Sequence, residues 1–191
     1  MIRPIIAYGD PILKQISADV DINNEDISSL IDDMWETMYN ANGVGLAAPQ
    51  IGILKKIFIA DFDHFQEEES FNKSEIEKLQ QVFINPIITD EFGDDFIFSE
   101  GCLSIPEISE EVIRKQNLTI EFLDEKFNKK KITCSGIIAR VIQHEYDHLN
   151  GILFTDRITS LRKRELKVKL DIISSGDFEP NYKMNFYKDN N

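Results

Sequence analysis

Ile-Ala-Arg-Val-Ile-Gln-His-Glu-Tyr-Asp-His-Leu-Asn-Gly, residues 138 to 151, is the stretch that decides how the rest of the chain can fold. It contains the pattern His-Glu-x-x-His. Because residues four apart lie on one face of an α-helix, His144 and His148 can present two imidazoles to a single metal ion. Glu145 beside them could take a proton from water on that ion and pass it on. We therefore predict a helix here that carries a metal site.

The spacing of apolar residues supports this helix. Two adjacent stripes run along it, one made of Ile138, Ile142, Glu145 and Leu149 and the other of Ile137, Val141, His144 and His148. Both stripes are largely apolar, so the helix should be buried on most sides, with the histidines at the inner end of its apolar face. Ser135 is the expected N-cap and Asn150-Gly151 the expected end. The alternative interpretation is two ordinary core histidines and a surface glutamate.

Composition indicates one globular domain, residues 1–191. The chain is 42% hydrophobic and 29% charged, and its 191 residues suffice for one substantial core but not for two ordinary domains. No apolar run approaches the length of a membrane span, and the start lacks the features of a secretory signal, so we expect a cytoplasmic protein that does not bind membranes. In that compartment Cys102 and Cys134 should both be reduced.

The charge of the chain limits its partners. A net charge of -13 argues against DNA binding, which depends on Lys and Arg to neutralise phosphates. The exception is a basic segment at residues 162–169, within a predicted helix of about 159–173. It is either a solvated helix face or a docking surface for an anionic partner, and both interpretations stay open.

The remaining pattern predicts an α+β fold. Apolar residues at three- and four-residue spacing indicate an N-terminal helix of about 25–40, capped by Asn23 or Asn24. Strands are predicted at 56–63, 82–89 with a bulge or edge at Pro86, 96–99, 118–123 and 131–133, and the last two form a hairpin that leads into the His-Glu-x-x-His helix. We therefore expect mixed or antiparallel strands packed around a central buried helix, with an N-terminal helix and a C-terminal helix.

Two segments are predicted to contribute little to the core. Residues 64–81 form an acidic, polar insertion, expected to be an exposed loop that can include one helical turn, and His64 in it should be a surface residue. Residues 176–191 are polar and are expected to form a frayed tail.

Two histidines do not complete a catalytic metal site, which usually has three protein ligands and an open position. The extension x-x-Gly-x-x-His found in one protease class is excluded, because Phe154 occupies its last position. Another protease class takes its third ligand from a glutamate in a later helix, and Glu165 is the candidate for that role here. It is surrounded by basic residues, which suits a surface better than a metal pocket. Cys102, in a predicted turn between strands, is the stronger candidate, although a free cysteine is more often a small core residue.

Three segments together resemble the signature motifs of peptide deformylases, in that family's order and approximate spacing. They are Gly-Val-Gly-Leu-Ala-Ala-Pro-Gln-Ile-Gly at 43–52, Glu-Gly-Cys-Leu-Ser-Ile-Pro at 100–106 and Gln-His-Glu-Tyr-Asp-His-Leu-Asn-Gly at 143–151. The resemblance extends more loosely from near Met1 to about residue 170. It implies a metal-dependent hydrolase that removes the formyl group from the N-terminal formylmethionine of newly synthesised proteins.

The resemblance also implies the site. Cys102, His144 and His148 would hold the metal, and hydroxide formed from metal-bound water would attack the formyl carbon. Glu145 would act as general acid and base. The ion would be divalent, ferrous iron in the cell, with zinc, nickel or cobalt as substitutes, since a thiolate and two imidazoles suit zinc as well as iron.

Further residues follow from the same resemblance. The Gln50 amide and the Leu103 backbone N–H would stabilise the oxyanion. Val44 and Gly45 would form part of the wall for the peptide, with the Gly45 backbone close to the substrate. Ile137 and Val141 would line an apolar pocket for the methionine side chain.

The remaining expectations concern neighbours and partners. Glu100 and Arg114 form either a supporting pair beside Cys102 or an ordinary surface pair. Ser109 stands where many relatives carry an arginine near the cleft. The expected partners are formylmethionyl nascent peptides and, through residues 162–169, the ribosome. The protein is expected to be a monomer.

Overall fold

The computed structural model describes residues 1–21, 23, 26–68 and 71–187. In chain order, its strands are Ile5–Ile6 (β1), Gly45–Ala47 (β2), Ile57–Asp61 (β3), Gln80–Cys102 (β4), Ile105–Leu123 (β5), Lys129–Ser135 (β6) and Met184–Asn185 (β7). Its α-helices are Ser28–Asn40 (α1), Gly136–Leu149 (α2), Ser160–Glu165 (α3) and Lys167–Ser175 (α4). None of these helices is long and apolar enough to cross a bilayer.

Within the described ranges, five strands form one antiparallel sheet in the order β2-β3-β4-β5-β6. The other two strands, β1 and β7, pair in parallel. The expected α+β class with antiparallel strands is confirmed. The predicted hairpin before α2 is also confirmed, because Leu118 pairs with Cys134 and Leu123 with Lys129.

Strand β4 is longer than the sequence pattern predicts. The two strands expected at 82–89 and 96–99 are parts of one strand, which is bent by shifts of register. One of these shifts falls between Ile84 and Ile87, so Pro86 lies at a bulge as predicted. A bulge accommodates the proline because it leaves one residue outside the hydrogen-bond ladder.

Helix α1 begins at Ser28, three residues later than predicted. Its start is fixed by Asp26, whose Oδ1 accepts hydrogen bonds from the backbone N–H and hydroxyl of Ser28 at 3.0 and 2.6 Å. The predicted cap Asn23 is wrong, because Ile27 occupies the N-cap position, and the other predicted cap, Asn24, lies outside the described residues, as does Glu25. The helix packs Met34 and Met38 into the core beside the sheet.

Helix α2 is buried along almost its whole length. It packs against the phenylalanines of the sheet in one continuous apolar cluster. Ser135 precedes it as expected, but its side chain does not cap the helix. The hydroxyl and backbone N–H of Ser135 instead donate to the carboxylate of Glu75, both at 2.8 Å. Gly151 follows the helix with a φ of 71°.

The expectation that residues 64–81 form an exposed loop is wrong in part. Ile76 is buried, and Phe65, Phe71 and Leu79 pack against the same apolar cluster as α2. Among its described residues, the insertion contains the short 3-10 turn Lys73–Glu75 and the end of another, Asp63–Phe65. His64 is exposed, as predicted. Glu69 and Ser70 lie outside the described residues.

The expectation of a frayed tail is wrong for residues 176–187. Gly176 ends α4 in the left-handed conformation, and the chain then turns back to form β7. Phe178, Met184 and Phe186 pack against a buried apolar cluster, so burial of these side chains compensates for ordering the polar residues between them. Residues 188–191 lie outside the described residues.

The basic C-terminal helix predicted at 159–173 is divided at Leu166 into α3 and α4. Several of its basic side chains are engaged in ion pairs. Arg162 pairs with Glu110 at 2.6 Å, and Lys167 pairs with Asp171 at 2.5 Å.

Candidate metal centre and active-site cleft

The hairpin of β4 and β5 brings Cys102 to α2. Cys102 is the last residue of β4 and pairs with Ile105, so only Leu103 and Ser104 form the turn. A two-residue turn holds the end of a strand tightly. Cys102 therefore faces α2 at a position set by the register of the whole hairpin.

Cys102, His144 and His148 converge on one point. One donor atom from each residue lies within 4.8 Å of the donors of the other two, and Cys102 Sγ lies 3.3 Å from His148 Nε2. The two imidazole rings are nearly perpendicular, with centroids 5.1 Å apart. One thiol and two imidazoles form a ligand set that suits zinc or iron, so these residues fit the expected ion. Cys134 is buried elsewhere, and both cysteines are free, as predicted.

Glu100 orients the ring of His144 through a hydrogen bond to Nδ1. Its Oε2 lies 2.9 Å from His144 Nδ1, which leaves the other ring nitrogen for the site. Arg114 donates to both oxygens of the same carboxylate at 2.6 and 2.8 Å. Burial by itself would raise the pKa of Glu100, but the hydrogen bonds from Arg114 and His144 hold that pKa well below its ordinary range. Glu100 and Arg114 thus form a buried pair and not a surface pair.

This buried network continues through two further residues. Arg114 Nη1 lies 2.6 Å from Asp147 Oδ2, so the hairpin is tied to α2 near the histidines. Arg140, also on α2, donates from Nη1 to Glu100 Oε1 at 2.6 Å and stacks over the ring of Phe96. Each arginine of the network therefore has a carboxylate partner, as buried charges require.

Glu145 and His148 each present a polar atom without a partner. Oε2 of Glu145 and Nδ1 of His148 are buried and accept or donate no hydrogen bond among the described residues. Burial raises the pKa of Glu145 to about 7. A carboxyl group with such a pKa can both accept and release a proton near neutral pH.

Gln50 is held so that its amide group points at Cys102. It lies in the short 3-10 turn Ala48–Ile51 and is 1% exposed. The backbone N–H of Ala47 donates to Gln50 Oε1 at 2.8 Å, which fixes the orientation of the amide. Its Nε2 lies 3.4 Å from Cys102 Sγ and 3.3 Å from Ser104 Oγ.

A cleft of about 640 Å³ is lined by Gln50, Cys102, His144 and Glu145. The residues predicted to contact substrate all line it, namely Val44, Gly45, Gln50, Leu103, Ile137 and Val141. The backbone of Gly45 was expected to lie close to the substrate. In the structure it lies close to Glu145, because a Cβ atom at Gly45 would be 2.4 Å from Oε1 of Glu145.

Arg140, Phe65 and Tyr182 are among the residues that line the cleft and were not predicted from the sequence. Arg140 is an arginine in an otherwise apolar turn of a buried helix, which is a signal for a buried carboxylate partner. Phe65 begins the acidic insertion, and Tyr182 belongs to the C-terminal segment. Nothing in the local pattern of either segment indicates a contact with the cleft.

A thiol and two imidazoles beside a buried carboxyl group, in a cleft of an α+β fold, are typical of metallohydrolases of the His-Glu-x-x-His class. A family model described as polypeptide deformylase matches residues 2–164. The chain therefore belongs to the peptide deformylase family, metalloenzymes of protein biosynthesis that hydrolyse the N-terminal formyl group of nascent peptides.

Individual relatives support this assignment. The chain is 52% identical to the peptide deformylase of Christiangramia forsetii, over 97% of this chain and 96% of the relative. The crystal structure of the enzyme from Legionella pneumophila superposes with a TM-score of 0.78 at 36% identity, covering 93% and 98% of the two chains. That of Ehrlichia chaffeensis in complex with actinonin gives a TM-score of 0.79 at 29% identity, covering 93% and 99%.

Proposed function

We propose that this chain, acting as one catalytic domain over residues 1–191, removes the formyl group from formylmethionyl peptides with one divalent ion. Cys102, His144 and His148 would hold the ion. The observation that carries the proposal is the convergence of these three donors within 4.8 Å beside the buried Glu145. When bound, such an ion supplies Lewis-acid chemistry and makes water a nucleophile near neutral pH.

Glu145 would transfer the protons of the reaction. Its carboxyl group, with a pKa of about 7, can take the proton of the attacking water and deliver it to the nitrogen of the departing peptide. Without that delivery the leaving group would be a poorly stabilised amide anion. The unpartnered Oε2 is free to accept the proton.

Gln50 and Leu103 would stabilise the charge that develops on the formyl oxygen. The Gln50 amide donor is preorganised, because its carbonyl is already bound to Ala47 and its side chain is buried. A preorganised donor costs no reorganisation during the reaction and is typically worth about 3 kcal/mol. The backbone N–H of Leu103 would provide the second donor.

The cleft would select the methionine side chain by apolar contact. Ile137 and Val141 are buried on the face of α2 that lines the cleft, while Val44 and Gly45 lie on its other wall. We expect formylmethionyl peptides to have a kcat/KM about 100-fold above that of formylated peptides that start with Asp. Equal values for the two substrates would contradict the apolar pocket.

The decisive experiment is formate release by oxygen-protected protein, compared with cleavage of an unformylated peptide of the same sequence. We expect formate from the first substrate and no product from the second. The variant Cys102→Ser should lose the ion, whereas Cys134→Ser, in which the other free cysteine is changed, should retain it. Absence of formate from fully metal-loaded protein would contradict the proposed function.

The identity of the ion is proposed to be ferrous iron in the cell, with zinc, nickel or cobalt as substitutes. The choice of iron rests on membership of the family, and the mixed sulfur and nitrogen donor set is compatible with it, since such a set accepts either iron or zinc. Metal analysis of protein purified without oxygen tests it. Stoichiometric zinc without iron would contradict the choice of iron.

We propose further that the enzyme acts in the cytoplasm as a monomer and meets nascent chains at the ribosome through residues 162–169. Ion pairs of Arg162 and Lys167 reduce the charge available to a partner. Arg164 and Lys169 are exposed and are the residues to test. Charge reversal of both should weaken cosedimentation with ribosomes, and reversal of the exposed Lys126 and Lys129 should not. Equal effects of the two variants would contradict a specific contact.

A further inference from the structure

The C-terminal segment reaches the active-site cleft. Pro180, Asn181 and Tyr182 line the same cleft as Cys102 and His144. Residues on both sides of these three are anchored to the body of the protein. The segment is therefore held against the cleft at two points and is part of its wall.

The first anchor is apolar. The ring of Phe186 lies over Gly176, where a Cβ atom would be 2.9 Å from the ring, and it contacts Phe178 edge to face at 5.7 Å. These aromatic residues pack against the buried cluster that contains Leu170. This packing closes the segment from Gly176 to Phe186 into a loop.

The second anchor is the short parallel ribbon of β1 and β7. The backbone N–H of Ile5 donates to the carbonyl of Lys183 at 2.9 Å, and that of Ala7 donates to Asn185 at 2.9 Å. Two residues after β1, the N–H of Tyr8 donates to the carbonyl of Ser104 at 2.8 Å. The ribbon of terminal strands is thus joined to the turn that follows Cys102.

Tyr182 makes the second bond to that turn. Its Oη donates to the carbonyl of Leu103 at 2.7 Å. Burial raises the pKa of Tyr182 above its ordinary value, which favours the protonated hydroxyl that donates this bond. Both residues of the turn, Leu103 and Ser104, therefore have their carbonyl oxygens fixed by the terminal segments.

We propose that Tyr182 is a positioning residue, which holds the Leu103 backbone so that its N–H stays directed at the formyl oxygen. This inference rests on the role given to Leu103 under the proposed function. The Tyr182 bond holds the Leu103 carbonyl and the sheet holds the preceding Cys102, so the backbone is restrained on both sides of the Leu103 N–H. A displacement of about 1 Å in such a donor can cost about 100-fold in rate.

The test is the variant Tyr182→Phe, which removes the hydroxyl and keeps the ring. We expect kcat on a short formylmethionyl peptide to fall roughly tenfold while KM changes less than about twofold, since the donor acts mainly in the transition state. Hydrogen exchange of the segment 101–105 should become faster. The absorption of cobalt-loaded protein should stay unchanged, because the ligand Cys102 is not moved.

The matched control is Tyr39→Phe. Tyr39 Oη also makes a 2.7 Å hydrogen bond, to Asp61 Oδ2, and lies outside the cleft. Loss of this bond should cost similar stability and leave kcat and the exchange of 101–105 unchanged.

Three outcomes would overturn the proposal. They are equal kcat for the two variants, unchanged exchange at 101–105 in Tyr182→Phe, and a shifted cobalt spectrum, which would place the effect at Cys102. Absence of formate release by the wild-type enzyme would count against the proposed function instead, and the exchange measurement would still test Tyr182.

Discussion

Gly45 and Glu145 are in such close contact that a side chain at Gly45 is impossible without moving the carboxylate. An added Cβ atom would lie 2.4 Å from Oε1 and 2.8 Å from Cδ of Glu145. The glycine in β2 therefore makes room for the group proposed to transfer protons. The contact links the motif at residues 43–52 directly to the motif at residues 143–151.

The variant Gly45→Ala should lose activity with little change in the fold. Displacement of Glu145 by about 1 Å should lower kcat about 100-fold. Formate release and thermal unfolding measure the two effects. A suitable control is Gly101→Ala, because an added Cβ atom there would meet nothing closer than 3.8 Å. Equal activity of the two variants would contradict the role of the contact.

Replacement of Glu145 by Gln tests proton transfer without a change in volume. Because general acid and base catalysis is typically worth 10²–10⁴-fold, we expect kcat to fall about 1000-fold. Metal content should remain that of the wild type, since Cys102, His144 and His148 are unchanged. Near-normal turnover by this variant would remove Glu145 from the mechanism.

Loss of the Glu100 carboxylate should destabilise the fold severely. Glu100→Gln leaves Arg114 and Arg140 without their shared buried anion, and such a change typically costs about 3–5 kcal/mol. Urea unfolding measures the loss. The control is Glu121→Gln at an exposed pair with Lys131, which should cost less than about 1 kcal/mol. Similar losses in the two variants would show that the buried network contributes no special stability.

The insertion at 64–81 should stabilise α2 through Glu75. Its carboxylate accepts from the N–H and hydroxyl of Ser135 at the positive end of the helix. Glu75→Gln should therefore lower the free energy of unfolding by about 1 kcal/mol and leave kcat unchanged. The exposed Glu77 provides the control Glu77→Gln, which should have a smaller effect. No difference in stability between the two would contradict this assignment.

Asp156 should contribute pH-dependent stability. Burial would raise its pKa, but hydrogen bonds from Lys14 and Lys163 lower the pKa to about 2. Since the folded pKa lies below the ordinary value of 3.8, the contribution is present above about pH 4 and is lost as pH falls toward 2. The stability difference between wild type and Asp156→Asn should be at most about 1 kcal/mol near neutral pH and disappear by pH 2. A difference that is constant from pH 5 to pH 2 would contradict this prediction.

Much of the candidate site is readable in the sequence, because its central part is local. His144, Glu145 and His148 fall on adjacent stripes of a helix whose period is set by the backbone. The assignment of Cys102 required the resemblance to a family. The spacing of residues along the chain left two alternatives open, namely that Glu165 is the third ligand and that Cys102 is an ordinary core residue.

Other predictions were wrong or left open because they concern features that depend on contacts between residues distant in sequence. The polar composition of residues 176–191 predicted fraying, but β1 supplies hydrogen bonds that no local pattern reveals. Likewise, the sequence was equally compatible with a surface pair of Glu100 and Arg114 and with a supporting pair beside Cys102. The register of the β4–β5 hairpin decides that this pair is buried behind His144.

The sequence by itself determined the helix, its two histidines and the glutamate between them, because α-helical geometry relates residues four apart. Only the tertiary structure decided that Cys102 meets that helix, that Glu145 fits against Gly45 and that Tyr182 holds Leu103. The physical reason is that these contacts join residues 42 to 100 positions apart in the chain, and they arise from strand register and packing, which local periodicity does not encode.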